Sequence, residues 1–371
     1  MSRWIILDRD GTIIKEKNYL HDPNEAELGY GVADGLRKLA AEGYRFIVVT
    51  NQSGIGRGYY SEDDMHAVHA RIDKLLANEG IKINGWYYCP HRPEEDCGCR
   101  KPKQGLVKKA ALELGFGLPD IAAVVGDKEC DVLLAKAIGA PSVLVMSGHG
   151  GAANTHGVHG DFNCRDMSEA AGRIIEMEES KLKMGETYRR NIKDHMKTTS
   201  LMAELEDRVC VVAERVIATL RRGGRLFLCG NGGSAADAQH IAAELSGRYL
   251  MERRALDAIA LSCNTSALTA IGNDYSYDDI FSRQIEAHGR CGDLLVAIST
   301  SGNSGNILRA AAAAKRLGIF TVGLTGDNGG ELRAAVDMAI CVPSSFTPRI
   351  QEMHILIGHT ICEIVEGGFY G

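Results

Sequence analysis

No apolar run in the 371-residue chain reaches the roughly 18 residues that a membrane-spanning helix requires. A basic footprint is also missing: 42 Lys and Arg stand against 48 Asp and Glu, a formal charge of -6, so neither nucleic acid nor an anionic lipid surface is an expected partner. The start, Met1-Ser2-Arg3-Trp4-Ile5-Ile6, has no apolar stretch or small-residue cleavage site of a signal peptide, and a cytoplasmic location is expected. No internal repeat of 20–50 residues is visible. The 11 cysteines are odd in number, and three of them crowd between 89 and 99 beside a histidine, which suits metal binding better than disulfides. With 45% hydrophobic and 24% charged residues the composition is that of a globular chain acting on small molecules, and the length exceeds what one core usually supports.

Short β-branched runs alternate with helical patterns in both halves, so the expected class is α/β, with two Rossmann-like parallel-sheet domains. The first-half strands are expected at 4–7, 45–50, 85–89, 121–125 and 142–146, and the second-half strands at 225–229, 257–261, 293–298, 320–324 and 338–342. Residues 147–166 are rich in Gly, His and Asn without an apolar period, and about 55 residues of helical pattern follow from Met167 to Arg222. The domains are expected at 1–177 and 178–371.

The first strand ends in Leu7-Asp8-Arg9-Asp10-Gly11-Thr12, and the strand period of 2 directs Asp8 and Asp10 toward one side. Alone, such a segment is often a turn. Three later segments add to it: Thr50-Asn51-Gln52 after the second strand, the basic pair Arg100-Lys101 before a helix, and Gly126-Asp127-Lys128 with Asp131 after the fourth strand. Carboxyl ends of parallel strands are where open α/β sheets bind ligands. Cys89, His91, Cys97 and Cys99 give four soft or borderline donors within eleven residues, the set a closed tetrahedral zinc site needs.

In this order the segments resemble the haloacid dehalogenase-type phosphatases, over roughly residues 3–147. The resemblance implies that Asp8 attacks phosphorus and that Asp10 protonates the leaving oxygen and later activates water. It further implies that Mg2+ held by Asp8, Asp127 and the Asp10 carbonyl offsets the charge between carboxylate and phosphate. Thr50 and Lys101, with Asn51 and Arg100, would bind the phosphate and substrate. Asp131 is either a supporting carboxylate or a helix-start residue favoured by the dipole. With the zinc loop, this half resembles the branch containing heptose bisphosphate and histidinol phosphate phosphatases. The heptose enzymes often carry a longer insertion than Arg92–Asp96, and the short loop is more like the histidinol group.

In the second half, Gly230-Asn231-Gly232-Gly233-Ser234 joins a strand to a helix start, and Ser299-Thr300-Ser301-Gly302-Asn303-Ser304 does the same after a later strand; both suit phosphate. A dinucleotide site is the rival for the first loop, but the Gly-x-Gly-x-x-Gly spacing is absent. His240 and Glu244 share a helix face, and Gln351 and His359, eight apart on the last helix, can serve one cavity. Together with Asn273-Asp274 and Arg349-Ile350-Gln351, these segments resemble the sedoheptulose 7-phosphate isomerases over about residues 186–366. The resemblance implies phosphate binding by Ser234, Ser299, Thr300, Ser301 and Ser304, substrate contacts by Asn231, Asn273, Asp274 and Gln351, and an acid/base pair of Glu244 and His359. Some members hold zinc at His240, Glu244, Gln351 and His359.

The combined expectation is a bifunctional enzyme of heptose synthesis, using Mg2+, a structural Zn2+ and, as in those members, a second Zn2+. Two alternatives stand beside it: a phosphatase for another monoester such as histidinol phosphate, and a sugar phosphate-sensing role for the second half. The isomerase resemblance implies a homo-oligomer, a tetramer through the second half. His149, His156 and His159 read as a solvated loop rather than a metal site, for want of cysteines and regular spacing.

Overall fold

The computed structural model describes residues 3–155 and 157–370; His156 lies outside the described residues. Two compact units divide after Glu186, inside the helix Met167–Leu201, which also contains the boundary expected near 178. The helical pattern to Arg222 is realised as that helix, a 3-10 turn at Met202–Leu205 and a helix at Glu206–Arg221.

The first unit holds β1 (Arg3–Leu7), β2 (Tyr44–Asn51), β3 (Ile83–Cys89), β4 (Ile121–Gly126), β5 (Ser142–Val145) and β6 (Phe162–Cys164) in the order β3-β2-β1-β4-β5-β6, all parallel. Period-2 alternation sends Ile5 and Leu7 into a core with Leu36, Leu39, Ile72 and Ile174, while Trp4 and Ile6 join Val107 and Leu134 on the opposite face. Both faces are covered, which is why these strands read as continuous apolar runs. β6 was not among the expected strands. Its three residues lie in the Gly- and His-rich stretch, where Cys164 is drawn into the core and Phe162 packs against it.

The second unit holds β7 (Leu226–Gly230), β8 (Ala258–Ala260), β9 (Leu294–Ile298), β10 (Phe320–Gly326) and β11 (Met338–Val342) in the order β11-β10-β9-β7-β8, again parallel. Helices cover both faces, with Val212, Leu245 and Ile357 on one side and Phe281, Ile307 and Leu332 on the other. In each sheet strand order reverses once, between β1 and β4 and between β7 and β9. A crevice opens there at the carboxyl ends of the strands, and both candidate sites occupy such crevices. Among the described residues, no helix is long and apolar enough to cross a membrane.

Candidate functional site

At the first reversal, Asp8 follows β1 and Asp127 follows β4, joined through the Asp8 N–H donated to Val125 O at 2.9 Å. Carboxylate oxygens of Asp8, Asp127 and Asp131 all lie within 4.8 Å of one another, and all three residues are buried. Lys101 balances them: its Nζ is 2.7 Å from Asp8 Oδ1 and 2.6 Å from Asp131 Oδ1. Burial alone would raise the Asp8 carboxyl, yet Lys101 and Lys128 hold it below its usual value. Burial pushes Asp131 up to about 6 despite Lys101, and Asp127 up to about 8. Asp131 also accepts the Lys128 N–H at 3.1 Å, so it both caps the helix Glu129–Ile138 and orients Lys101.

Asp10 is held differently. Buried Arg9 donates to both of its oxygens, with Nη2 at 2.9 Å from Oδ1, and Gln52 Nε2 donates to Oδ2 at 2.8 Å. The same Gln52 amide donates to Thr50 Oγ1 at 2.8 Å, while Tyr60 OH donates to Gln52 Oε1 at 2.6 Å. Asp8, Asp10, Thr50, Asn51, Arg100 and Lys101 border one cavity of about 280 Å³. Arg9, Gln52, Tyr60 and Lys128 were not singled out as site residues. Gln52 had a signal, two positions after Thr50 on an extended segment, but the others are placed by tertiary structure alone.

Asp127 sits in a glycine collar. A Cβ at Gly11, whose φ is +79°, would fall 2.2 Å from Asp127 Oδ2, and one at Gly148 would fall 2.4 Å from it. The His149 N–H donates to Oδ2 at 2.8 Å, but the buried Oδ1 has no hydrogen-bond partner among the described residues. That oxygen, with Lys128 Nζ 3.8 Å away, forms with Asp8 a donor set that fits a hard cation such as Mg2+. His149 borders the cavity and lies 3.5 Å from Glu16, whereas His159 pairs with Asn163; neither joins a group of metal-capable side chains among the described residues.

Cys89 ends β3, and the following loop folds His91, Cys97 and Cys99 back onto it. The three sulfurs are 3.3–3.4 Å apart, and His91 Nδ1 is 3.6 Å from Cys89 Sγ and 3.2 Å from Cys99 Sγ. Disulfide sulfurs would be about 2.05 Å apart. Four ligands around zinc with Zn–S of about 2.3 Å have edges of roughly 3.8 Å, close to this set, so the donors fit a closed zinc site. The loop hands the chain to Lys101, whose backbone N–H donates to Asn51 Oδ1 at 3.0 Å and whose carbonyl accepts from Asn51 Nδ2 at 3.3 Å.

At the second reversal, Asn231 follows β7 and Ser299 follows β9. Gly232 takes φ +53° to turn into the helix Gly233–Ser246, and Gln351 lies against the first turn, where a Cβ on Gly233 would meet its Nε2 at 2.4 Å. Ser234 is buried, and Ser299 Oγ lies 3.1 Å from Ser304 Oγ, so the second loop closes on itself. Asn231 and Asn306 exchange side-chain hydrogen bonds of 2.9 and 2.8 Å across the crevice, with Tyr277 OH donating to Asn231 Oδ1 at 3.2 Å. Thr300 and Ser301 border a smaller depression with Asp327 and Asn328. Asn306 and Tyr277 were missed because their reach depends on packing.

His240 Nε2 is 3.1 Å from Glu244 Oε1 and 3.5 Å from His359 Nε2, so two helices bring these three side chains into one cluster. Their donor atoms all lie within 4.8 Å, and the rings of His240 and His359 meet edge to face. The cluster is partly open to solvent. Asn273 and Asp274, at the end of the helix Thr265–Asp274, pair with each other at 2.9 Å, and no hydrogen bond among the described residues ties them to the cluster.

Comparison with known proteins agrees with this division. The SIS domain family matches residues 187–326, and the HAD-hydrolase-like family matches residues 98–170. A phosphoheptose isomerase of Rhodospirillum rubrum is 60% identical over 151 residues, which is 41% of this chain and 80% of the relative. One from Nitratiruptor sp. is 51% identical over 187 residues, 50% of this chain and 100% of the relative. A solved D,D-heptose 1,7-bisphosphate phosphatase from B. bronchiseptica is 28% identical, covering 47% of this chain and 99% of its own, with a TM-score of 0.44. The chain thus joins a HAD-like hydrolase half to a SIS half, and through the latter it belongs to the phosphoheptose isomerase family.

Proposed function

We propose that the chain is a bifunctional enzyme of heptose phosphate metabolism. Its second half interconverts sedoheptulose 7-phosphate and D-glycero-D-manno-heptose 7-phosphate, and its first half hydrolyses the 7-phosphate of D-glycero-D-manno-heptose 1,7-bisphosphate. The observation that carries this reading is the His240–Glu244–His359 cluster, two of whose members stand on the helix that the Asn231–Ser234 loop opens, in a half that is 60% identical over 151 residues to a phosphoheptose isomerase. A sensing role without chemistry does not account for that cluster.

In the isomerase half, Ser234, Ser299, Thr300, Ser301 and Ser304 hold the phosphate, and Asn231, Asn273, Asp274 and Gln351 contact the sugar. Glu244 takes the C1 proton and returns it to C2, while His359 donates to and accepts from the two oxygens, so an enediol forms and collapses. A zinc ion on His240, Glu244, Gln351 and His359 would add Lewis-acid polarisation of those oxygens.

In the phosphatase half, an Asp8 oxygen attacks phosphorus as the sugar oxygen leaves, and Asp10 supplies the proton to that oxygen. Asp10 then takes a proton from water, which displaces phosphate from Asp8. Lys101 keeps Asp8 ionised and, with Thr50, Asn51 and Arg100, binds the phosphoryl oxygens. Mg2+ on Asp8, Asp127 and the Asp10 carbonyl would neutralise charge as the carboxylate meets the phosphate. Cys89, His91, Cys97 and Cys99 would hold zinc, which would fix the loop that delivers Arg100 and Lys101.

The isomerase product carries one phosphate and the phosphatase substrate two, so a kinase acts between the halves. The isomerase resemblance points to a tetramer, and exposed Tyr188, Met196, Phe346 and Leu356 supply apolar surface that assembly through the second half would cover. The five-residue Arg92–Asp96 segment favours a second reading for the first half, hydrolysis of histidinol phosphate. Supplying the purified chain separately with sedoheptulose 7-phosphate, heptose 1,7-bisphosphate and histidinol phosphate, with and without chelator, tests both. Turnover of the first two is expected; preference for histidinol phosphate would reassign the phosphatase, and inert sedoheptulose 7-phosphate would remove the isomerase.

A further inference from the structure

The helices Gly233–Ser246 and Thr347–Tyr370, which carry Glu244 and His359, are also linked outside the reacting cluster through a buried ion pair between Arg253, in the segment after the first helix, and Glu366 on the second. Arg253 Nε lies 2.7 Å from Glu366 Oε1, and the two side chains are 0% and 2% exposed. Glu366 accepts backbone N–H groups from Tyr249 and Leu250 at 2.8 Å and from Met251 at 2.9 Å. Burial would raise its carboxyl, but these donors and Arg253 hold it down at about 2. It is therefore ionised throughout the working range of an enzyme and acts as a fixed strut.

The other nitrogens of Arg253 turn to the end of the first helix. Nη2 donates to the backbone carbonyl of Glu244 at 2.7 Å, and Nη1 donates to Leu245 O at 2.8 Å and Gly247 O at 3.1 Å. A helix leaves its last carbonyls without intrahelical partners, and a cation there satisfies them and complements the dipole. Glu366 is seven residues beyond His359, two turns along the same helix face, or roughly 10 Å. Beside His359 the helices touch without filler: a Cβ on Gly358 would lie 2.5 Å from Ile241 Cδ1. One end of the strut thus grips the backbone of Glu244, and the other is fixed to the helix bearing His359.

We propose that Arg253 and Glu366 are positioning residues for isomerisation, setting the axial register of the two helices and hence the spacing of Glu244 and His359 across the sugar. The inference rests on the isomerase reading. A displacement of about 1 Å in a proton-transfer pair can lower turnover on the order of 100-fold. Among the described residues no hydrogen bond or ion pair of Arg253 or Glu366 reaches the phosphate loops, which follow β7 and β9, so substrate affinity is not expected to change.

The test compares wild type, Arg253→Lys and Glu366→Gln with sedoheptulose 7-phosphate carrying hydrogen or deuterium at C1, with rates normalised to the folded fraction from circular dichroism. Lysine keeps the charge but cannot reach all the carbonyls. For Arg253→Lys the expectation is a kcat lower by roughly 10- to 100-fold, a KM within about twofold, and a larger primary isotope effect as proton transfer becomes limiting. Glu366→Gln should follow the same pattern, and either variant carries the test if the other does not fold. Wild type inert toward the substrate would defeat the isomerase reading itself. An active wild type with folded variants of unchanged kcat, or with losses that track folded fraction at a constant isotope effect, would overturn the positioning role alone.

Discussion

Replacing Lys101 by methionine removes one buried cation from between two buried carboxylates. Its side chain is 2% exposed, its Nζ lies within 2.7 Å of both Asp8 and Asp131, and Asp127 lies in the same group of carboxylates. Methionine fills a similar volume, so the perturbation is electrostatic. Breaking a buried pair by removing one partner typically destabilises by about 3–5 kcal/mol. The penalty depends on pH in a definite direction. With Lys101 present burial already pushes Asp131 up to about 6, and without it Asp131 rises further while Asp8 loses the first of the two cations that hold its carboxyl below its usual value against burial. Carboxyls raised in the folded state cost stability when the medium is alkaline to them, and that cost is relieved as pH falls through the raised values. The deficit relative to wild type should therefore be largest at pH 8 and shrink toward pH 5. Both tryptophans, Trp4 and Trp86, belong to the first unit, so fluorescence in urea reports on that unit alone. With a slope of about 2 kcal/mol per molar, the midpoint at pH 8 should fall by roughly 2 M. The measurement is made with chelator present, so that no divalent cation neutralises the carboxylates. An unchanged midpoint at pH 8, or an equal deficit at pH 5 and pH 8, would refute this account of the cluster.

Asp8→Asn and Asp10→Asn should each lower phosphomonoester hydrolysis by on the order of 1,000-fold or more while isomerisation in the same sample stays at the wild-type rate, as a paired colorimetric and coupled assay would read. Conversely, Glu244→Gln combined with His359→Asn should abolish isomerisation and spare hydrolysis; isomerase activity surviving the pair would remove both from the acid/base role. Cys97→Ser should lower the zinc content of the purified chain by elemental analysis and reduce phosphate release, because the loop no longer presents Lys101 firmly. Full zinc occupancy in that variant would show that the four-residue set is not the site.

The strands flanking both crevices were legible because each is buried on two faces and reads as an unbroken apolar run. β6 was not, since Phe162-Asn163-Cys164 is too short and too polar to stand out from a glycine-rich stretch. Residues sharing one strand end or one helix face, such as Asp8 with Asp10 or His240 with Glu244, announce themselves by period. The same logic left Asp131 undecided: its position near a helix start fits a simple cap, and only the 2.6 Å contact with Lys101 separates the roles. Arg253 and Glu366 are 113 positions apart and follow no motif, so nothing short of tertiary structure could pair them.

The glycine collar around Asp127 bears on how variation at this protein would be interpreted. Alanine at Gly11 or Gly148 would collide with the Asp127 carboxylate, and alanine at Gly126 would strike the carboxylate of Asp131 at 2.2 Å. None of these glycines offers a functional group, yet one added methyl displaces the acids that do. A genetic screen ranking substitutions by chemical conservatism would score such changes as mild, whereas their phenotype should be that of deleting an aspartate.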